Sequence, residues 1–349
     1  MKKYILLLLF LKLSLGFAQD GEDFDLLMGR ETPAWQYVKT SEDMRRLKFF
    51  RTLFQKQISH IAKNSPSKNK IPKTFHVIWL GPENFPEQSI DRLKQWVQLH
   101  PDWTFKFWTD VDRMVPHPEM KKYFVSDFSF QKLGNEYYHS VNFGEKANIL
   151  AYEILIAEGG VYVDHDTLPY KSFNSLHQQF DFYCGLEELA PTILSSSVIP
   201  STHLIGVKPD HPILKETVSW LENHWDQLEQ CYPGESMHEA TLRVKHRSFW
   251  AFSEGIDRGI NQKGNNDVVF PVAYFNGKRQ KASSYALHFR EEKWCNPRTN
   301  FERKVNEKFQ EMIHKDDEAV VLTLVLAFVS FLACIFLLFY VRSVKRRTS

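Results

Sequence analysis

Polar and apolar positions along this chain repeat with two periods, and the way the periods alternate predicts its architecture. Lys73 to Leu80 is a hydrophobic run rich in strand formers that stops at Gly81-Pro82, a turn signal. Ser89 to Leu99 spaces its apolar residues for an amphipathic helix, and Thr104 to Trp108 reads as a second strand. Asn142 to Glu158 reads as a long helix carrying Ile149, Leu150, Ile154 and Leu155, ended by Gly159-Gly160, with Val161-Tyr162-Val163 as a short strand after it. Strand, helix, strand, helix, strand predicts an α/β domain with a mainly parallel sheet covered by helices. Residues 170 to 295 mix short strands and helices without a repeat.

The flanks read differently. From Ser41 to Asn64 the residues Met44, Leu47, Phe50, Leu53, Phe54, Ile58 and Ile61 recur near helical spacing, with Ser41 as the expected N-cap. Arg45, Arg46, Lys48, Arg51 and Lys56 make this helix basic, so it touches a membrane or partner, or it packs on the domain, which is the commoner use of such a face. Ser65 to Lys70 is a polar linker. The N-terminus has basic Lys2 and Lys3, a mostly apolar run from Tyr4 to Leu15, and small residues before a cut after Ala18, which describes a secretory signal peptide or a short anchor. Ala319 to Val341 holds no charge and is long enough to cross a bilayer as a helix, and Arg342, Lys345, Arg346 and Arg347 follow it. Basic residues favour the cytosolic side, so both ends place the middle of the chain on the non-cytosolic side. The expected organisation is a signal at 1–18, a helical region and linker at 19–69, the α/β domain at 70–300, a juxtamembrane segment at 301–318, the transmembrane helix at 319–341 and a basic tail at 342–349.

Composition narrows the function classes. With 43% hydrophobic and 14% aromatic residues the 349-residue chain fills a sizeable core. Its net charge of +2 and the lack of a basic stripe argue against a nucleic-acid partner. Cys184, Cys231, Cys295 and Cys334 form no C-x-x-C, so zinc is not indicated, and the spacing does not choose a disulfide. The chemistry concentrates at Asp164-His165-Asp166. By strand alternation the two carboxylates share one face with Tyr162, while His165 points to the other. Hard oxygens at the carboxyl end of a buried strand suit a divalent cation with positions left open for phosphate.

Glu158-Gly159-Gly160-Val161-Tyr162-Val163-Asp164-His165-Asp166 resembles the D-x-D region of glycosyltransferase family 32 and of the glucosylating bacterial toxins. Ile71 to Gly81 resembles the first strand of that family, His100 to Asp110 the next, and His288 to Trp294 its closing segment, so the resemblance spans roughly residues 70 to 295. It implies a GT-A-like nucleotide-sugar-binding fold, with residues 170 to 295 as the acceptor side, and a hexosyltransferase that retains anomeric configuration. It also implies Mn²⁺ or Mg²⁺ held by Asp166 directly, with Asp164 acting through water or on sugar hydroxyls and His288 completing the shell. Donor contacts are implied for Trp79, Asn148, Tyr162, Asp164, His288, Lys293 and Trp294, with Arg290 a further cation. The expected donor is a UDP-hexose, with GDP-mannose as the other candidate; the acceptor is a glycan, lipid or protein. Asn148 and Ala151 stand where the family carries Asp and Arg; Lys146, one turn away, is the nearest replacement cation.

Two other readings compete. A non-catalytic sugar- or partner-binding membrane protein on the same fold accounts for Ala151, but both carboxylates remain. Phosphatases of the haloacid dehalogenase type need Thr or Val two residues past the second Asp, where Leu168 stands, with Thr167 one place early. Neither G-x-S-x-G nor H-E-x-x-H occurs, so serine hydrolases and zinc proteases find no support.

Overall fold

Residues 23–61, 68–192, 194–233, 237–276 and 283–291 are described by the computed structural model. The N-terminal signal, Lys293, Trp294, Cys295, Cys334 and the apolar stretch 319–341 lie outside them. From α1 (Ser41–Ile61) the chain runs through β1 (Thr74–Trp79), α2 (Glu87–Leu99), β2 (Thr104–Thr109), β3 (Met120–Phe124), α3 (Phe143–Glu158) and β4 (Gly160–Val163). It continues through β5 (Thr167–Pro169), β6 (Phe182–Leu186), β7 (Pro200–Val207), α4 (Pro212–Cys231), α5 (Met237–Lys245), α6 (Ala251–Gly259), β8 (Asp267–Phe270) and β9 (Ala286–His288), with shorter helical turns between.

The strands β3-β2-β1-β4-β7-β6-β8 form one sheet in that order, and β5 pairs with β9 in a second, two-stranded ladder. Every neighbouring pair of the large sheet is parallel except those made by β7, which runs against both β4 and β6. The predicted mainly parallel α/β architecture is thus present. The stretch from 170 onward is more than a covering layer, because it supplies β6, β7 and β8 of the sheet itself. Alternation along β1 clothes both faces. Phe75 packs on Trp96 of α2 at 5.0 Å between ring centroids. His76, on the other face, accepts from Trp108 Nε1 at 3.2 Å through Nδ1 and donates from Nε2 to Gly159 O at 2.9 Å. Among the described residues no helix is long and apolar enough to cross a membrane.

Helix α1 lies on the domain. Phe54 meets Phe270 and Tyr274 edge-on, at 6.1 and 5.7 Å. Arg46, counted among the basic residues of an outward face, is 1% exposed. It donates to Asp257 at 3.0 Å and to Glu42 at 2.9 Å, and it also reaches Ser253. Arg46 is thus used inside the fold, while Arg45 and Lys48 stay exposed. Met44 departs from the apolar spacing and faces solvent. The N-cap is Thr40, one residue before the expected Ser41. Its Oγ1 accepts from Asp43 N at 3.0 Å, and Asp43 Oδ2 accepts from Thr40 N at 2.9 Å, a reciprocal cap. Cys184 is buried and Cys231 exposed, and both are free thiols.

Asp43 also ties α1 to the loop before β7, accepting from Ser196 Oγ and from Ser197 N, each at 2.8 Å. Burial pushes its carboxyl up, but the hydrogen bonds from Thr40, Ser196 and Ser197 outweigh burial and hold it well below the usual carboxylate range. A folded-state value below the unfolded one adds stability above roughly pH 4, which is lost as pH falls toward the folded value. Asp43→Asn is therefore expected to lower unfolding free energy by about 2–3 kcal/mol near neutrality. In urea titrations at several pH values, that deficit is expected to shrink on acidification; a deficit that does not change with pH contradicts this account.

Candidate functional site

The site begins with two glycines. Gly159 and Gly160 have φ of +65° and +104°, the region that side chains avoid. A Cβ on Gly160 would stand 2.5 Å from Thr74 O, and one on Gly159 would stand 2.6 Å from Pro209 Cδ. Only bare backbone lets α3 turn this sharply into β4, between β1 and β7. The strand then lasts four residues, and its end delivers Asp164.

Past the strand's end His165 still points to the α2 face, opposite Tyr162 and Asp164, as alternation predicts. Asp164 to Thr167 form a turn closed by Thr167 N donating to Asp164 O at 3.1 Å. The turn folds the two carboxylates toward each other, and His165 lines the same cavity as they do. Its Nδ1 meets Ser89 Oγ at 2.8 Å, and its ring stands edge-on to Trp79 at 4.9 Å. Tyr162 does share the face of Asp164, since its hydroxyl donates to Asp164 Oδ1 at 2.6 Å.

The third member arrives from the far end of the domain. Antiparallel pairing of β5 with β9 sets Thr167 opposite His288. His288 Nε2 lies 3.1 Å from Asp166 Oδ1 and 3.9 Å from Asp164 Oδ2. Asp166 is further held by Glu291 N, which donates to Oδ2 at 2.7 Å. One ligand atom from each of Asp164, Asp166 and His288 lies within 4.8 Å of the others. Two carboxylate oxygens and an imidazole nitrogen converging at that spacing fit Mn²⁺ or Mg²⁺. Asp164 Oδ2, left over from the Tyr162 bond, faces the shared point.

The charges of this trio separate. Desolvation in the cavity, reinforced by the Asp166 charge, pushes Asp164 up to about 6. Burial also acts to raise Asp166, but the hydrogen bond and charge of His288 and the Glu291 N–H hold it low. Burial alone would lower His288; the bond to Asp166 and the charges of both aspartates raise it above the ordinary histidine value.

The cavity that these residues face holds about 260 Å³. Trp79, Asn148, Tyr162, Asp164, Asp166 and His288, all singled out from the sequence, line it together. Trp79 is largely buried in the wall, its Nε1 donating to Glu83 O at 2.8 Å. Lys146 does not line the cavity and sits 5.0 Å from the Tyr137 ring centre, so it does not stand in for the missing arginine. Ala151 is buried.

Other lining residues had no motif to announce them. Glu187 and Glu188 follow β6 and bind Arg290 at 3.0 and 3.1 Å. Their only signal is an acidic pair after a hydrophobic run. His203, from β7, stacks on His288 with centroids 4.2 Å apart. Val244, Lys245, Ser248 and Phe249 enter from a wall where α5 passes through a π-helical turn, His246–Trp250, into α6. No period in the sequence marks a π turn, although such turns recur at functional sites.

Mn²⁺ is expected to bind this trio and its affinity to fall as pH drops through the raised His288 value and then through about 6, because His288 and Asp164 must release protons to it. His288→Ala is expected to reduce the affinity at least tenfold or so, measured by calorimetric titration. Gly160→Ala is expected to cost about 2–4 kcal/mol in urea unfolding. Unchanged Mn²⁺ affinity in His288→Ala removes the histidine from the site.

Comparison with known proteins agrees with this geometry. The family described as "Glycosyltransferase sugar-binding region containing DXD motif" matches residues 86–183. A toxin of Photorhabdus asymbiotica is 26% identical over 201 residues, 51% of this chain and 7% of that protein. Inositol phosphoceramide mannosyltransferase 3 of Schizosaccharomyces pombe is 26% identical over 149 residues, 42% of this chain and 36% of that protein. The chain thus matches only a small part of the toxin and about a third of the mannosyltransferase. Among solved structures, the PaToxG glycosyltransferase superposes with a TM-score of 0.44 at 19% identity, over 62% of this chain and 80% of that one. The stretch that matches the family model, residues 86–183, includes both Asp164 and Asp166.

Proposed function

We propose that the protein is a metal-dependent glycosyltransferase that moves a hexose from a nucleoside diphosphate sugar to an acceptor, with retention of configuration. The observation that carries this reading is the convergence of Asp164, Asp166 and His288 on one point of a cavity also lined by Trp79, Tyr162 and Asn148. Asp164, Asp166 and His288 would hold Mn²⁺ or Mg²⁺. Bound there, the cation supplies the positive charge that a departing diphosphate requires.

The chain's own residues do the rest. The Tyr162 hydroxyl fixes one oxygen of Asp164 and leaves the other free. The Glu291 N–H and the pairing of β5 with β9 fix Asp166 and bring His288 to it. Asn148 offers both a donor and an acceptor to sugar hydroxyls. Trp79 is the candidate wall for the base, and Leu80, Phe143 and Ile199 keep water from the cavity's apolar side. Arg290 enters already paired with Glu187 and Glu188, so it orders the rim more than it neutralises a ligand. UDP-hexose is the favoured donor and GDP-mannose the alternative; the mannosyltransferase relative supports keeping the second. The reading includes a secretory signal at 1–18, an anchor at 319–341, and the site on the non-cytosolic side.

Purified protein with Mn²⁺ is expected to hydrolyse or transfer from one nucleotide sugar, and EDTA is expected to abolish this. Asp166→Ala is expected to lower turnover by roughly 10²–10³ or more while the protein stays folded. Its metal-dependent thermal shift with the matching nucleotide is expected to vanish as well. A folded sample that neither turns over nor binds any nucleotide sugar contradicts the proposal and favours a non-catalytic role.

A further inference from the structure

Single exposed hydrophobic residues are normal on any protein; their distribution is what carries information. Among the described residues the large hydrophobic side chains left open to solvent are Leu26, Met44, Val111, Met114, Tyr138, Val141 and Phe289. The last five gather at one edge of the molecule. Val111 and Met114 follow β2, whose carboxyl end lies at the same edge as that of parallel β4, with β1 between them. Tyr138 and Val141 lead into the start of α3, the helix whose other end feeds the beginning of β4. Phe289 follows β9, and its N–H donates to Asp166 O at 3.0 Å. Asp164 and Asp166 sit at this edge too.

The chain leaves the described structure from the same place, since Glu291 is bonded to Asp166. The sequence then runs through 292–318 to the uncharged stretch 319–341. The 27 residues from 292 to 318 join the two. Any bilayer holding 319–341 is therefore joined to the domain through the edge that bears the cavity.

We infer that this edge docks on the bilayer, with Val111, Met114, Tyr138, Val141 and Phe289 entering its interfacial layer and the cavity mouth held at headgroup level. The inference rests on the anchor proposed above. The side chains come from elements on both faces of the sheet, Phe289 beside Arg92 of α2 and Tyr138 and Val141 before α3, which suits a deformable layer better than a rigid partner. Tyrosine and phenylalanine with small apolar neighbours are also what an interface accepts, an apolar body with a wet rim.

Two methionines give a test on the unmodified full chain, reconstituted in phosphatidylcholine nanodiscs and exposed to peroxide. In solvent Met114 is the more open, 90% against 53% for Met44, and oxidation follows exposure. Docked, Met114 is expected to oxidise at least about threefold more slowly than Met44, read by mass spectrometry on discs holding one chain. Val111→Asp with Val141→Asp is expected to restore oxidation of Met114 and leave Met44 unchanged. A chain that stays embedded in alkaline carbonate while Met114 oxidises faster than Met44 overturns the docking and leaves the anchor standing. A chain that washes off overturns the anchor and the docking with it. Protection confined to discs holding two chains overturns the docking in favour of self-association.

Discussion

Everything at the site depends on how closely the backbone at Gly159-Gly160 approaches its neighbours. The peptide after α3 runs against Thr74 O and under the His76 ring, and His76 binds it through Gly159 O. Trp108 supplies the second hydrogen bond to His76, and burial pushes that histidine down to about 4, so it stays a neutral strut. With this contact made, β4 enters between β1 and β7 at one height only, and the height decides where Asp164 emerges. A methyl group at either glycine would shift the carboxylates by a distance comparable to a hydrogen bond.

The site is also a solution to an electrostatic problem. Asp164, Asp166, Glu187 and Glu188 crowd one cavity wall, and like charges in a desolvated place repel. The fold answers each differently. Asp166 receives a backbone N–H and an imidazole, while Glu187 and Glu188 share Arg290. Asp164 receives a tyrosine hydroxyl and, only at 3.9 Å, the His288 ring, and it keeps 34% of its side chain exposed. The least satisfied carboxylate is thus the one open to whatever enters.

Much of this was legible because it obeys simple periods. The β1–α2–β2 unit and α3 follow from runs such as Phe75-His76-Val77-Ile78-Trp79, and Gly-Gly followed by D-x-D marks where helix, strand and charge meet. What escaped the sequence has a local cause. Thr40 displaced Ser41 as a cap because Asp43 stands at the reciprocal position for Thr40. The cavity wall from Val244 to Phe249 rests on a π turn, a geometry set by packing against α4 rather than by any repeat. Lys146 was too far around α3 to face the cavity, a matter of one turn of helix that spacing alone did not resolve.

The pairing of β5 with β9 is three residues long, yet it joins partners well over a hundred positions apart, such as Thr167 and His288, and the neighbouring bond from Glu291 to Asp166 spans 125 positions. Closing so long a loop is entropically slow to begin but adds little per extra residue. A ribosome therefore exports two aspartates well before it makes the histidine that faces them. The sheet, including β8, is complete before β9 can be laid down. Among the described residues, the order of synthesis thus runs from scaffold to the two aspartates, and β9, the last strand made, is the one that brings His288 to Asp166.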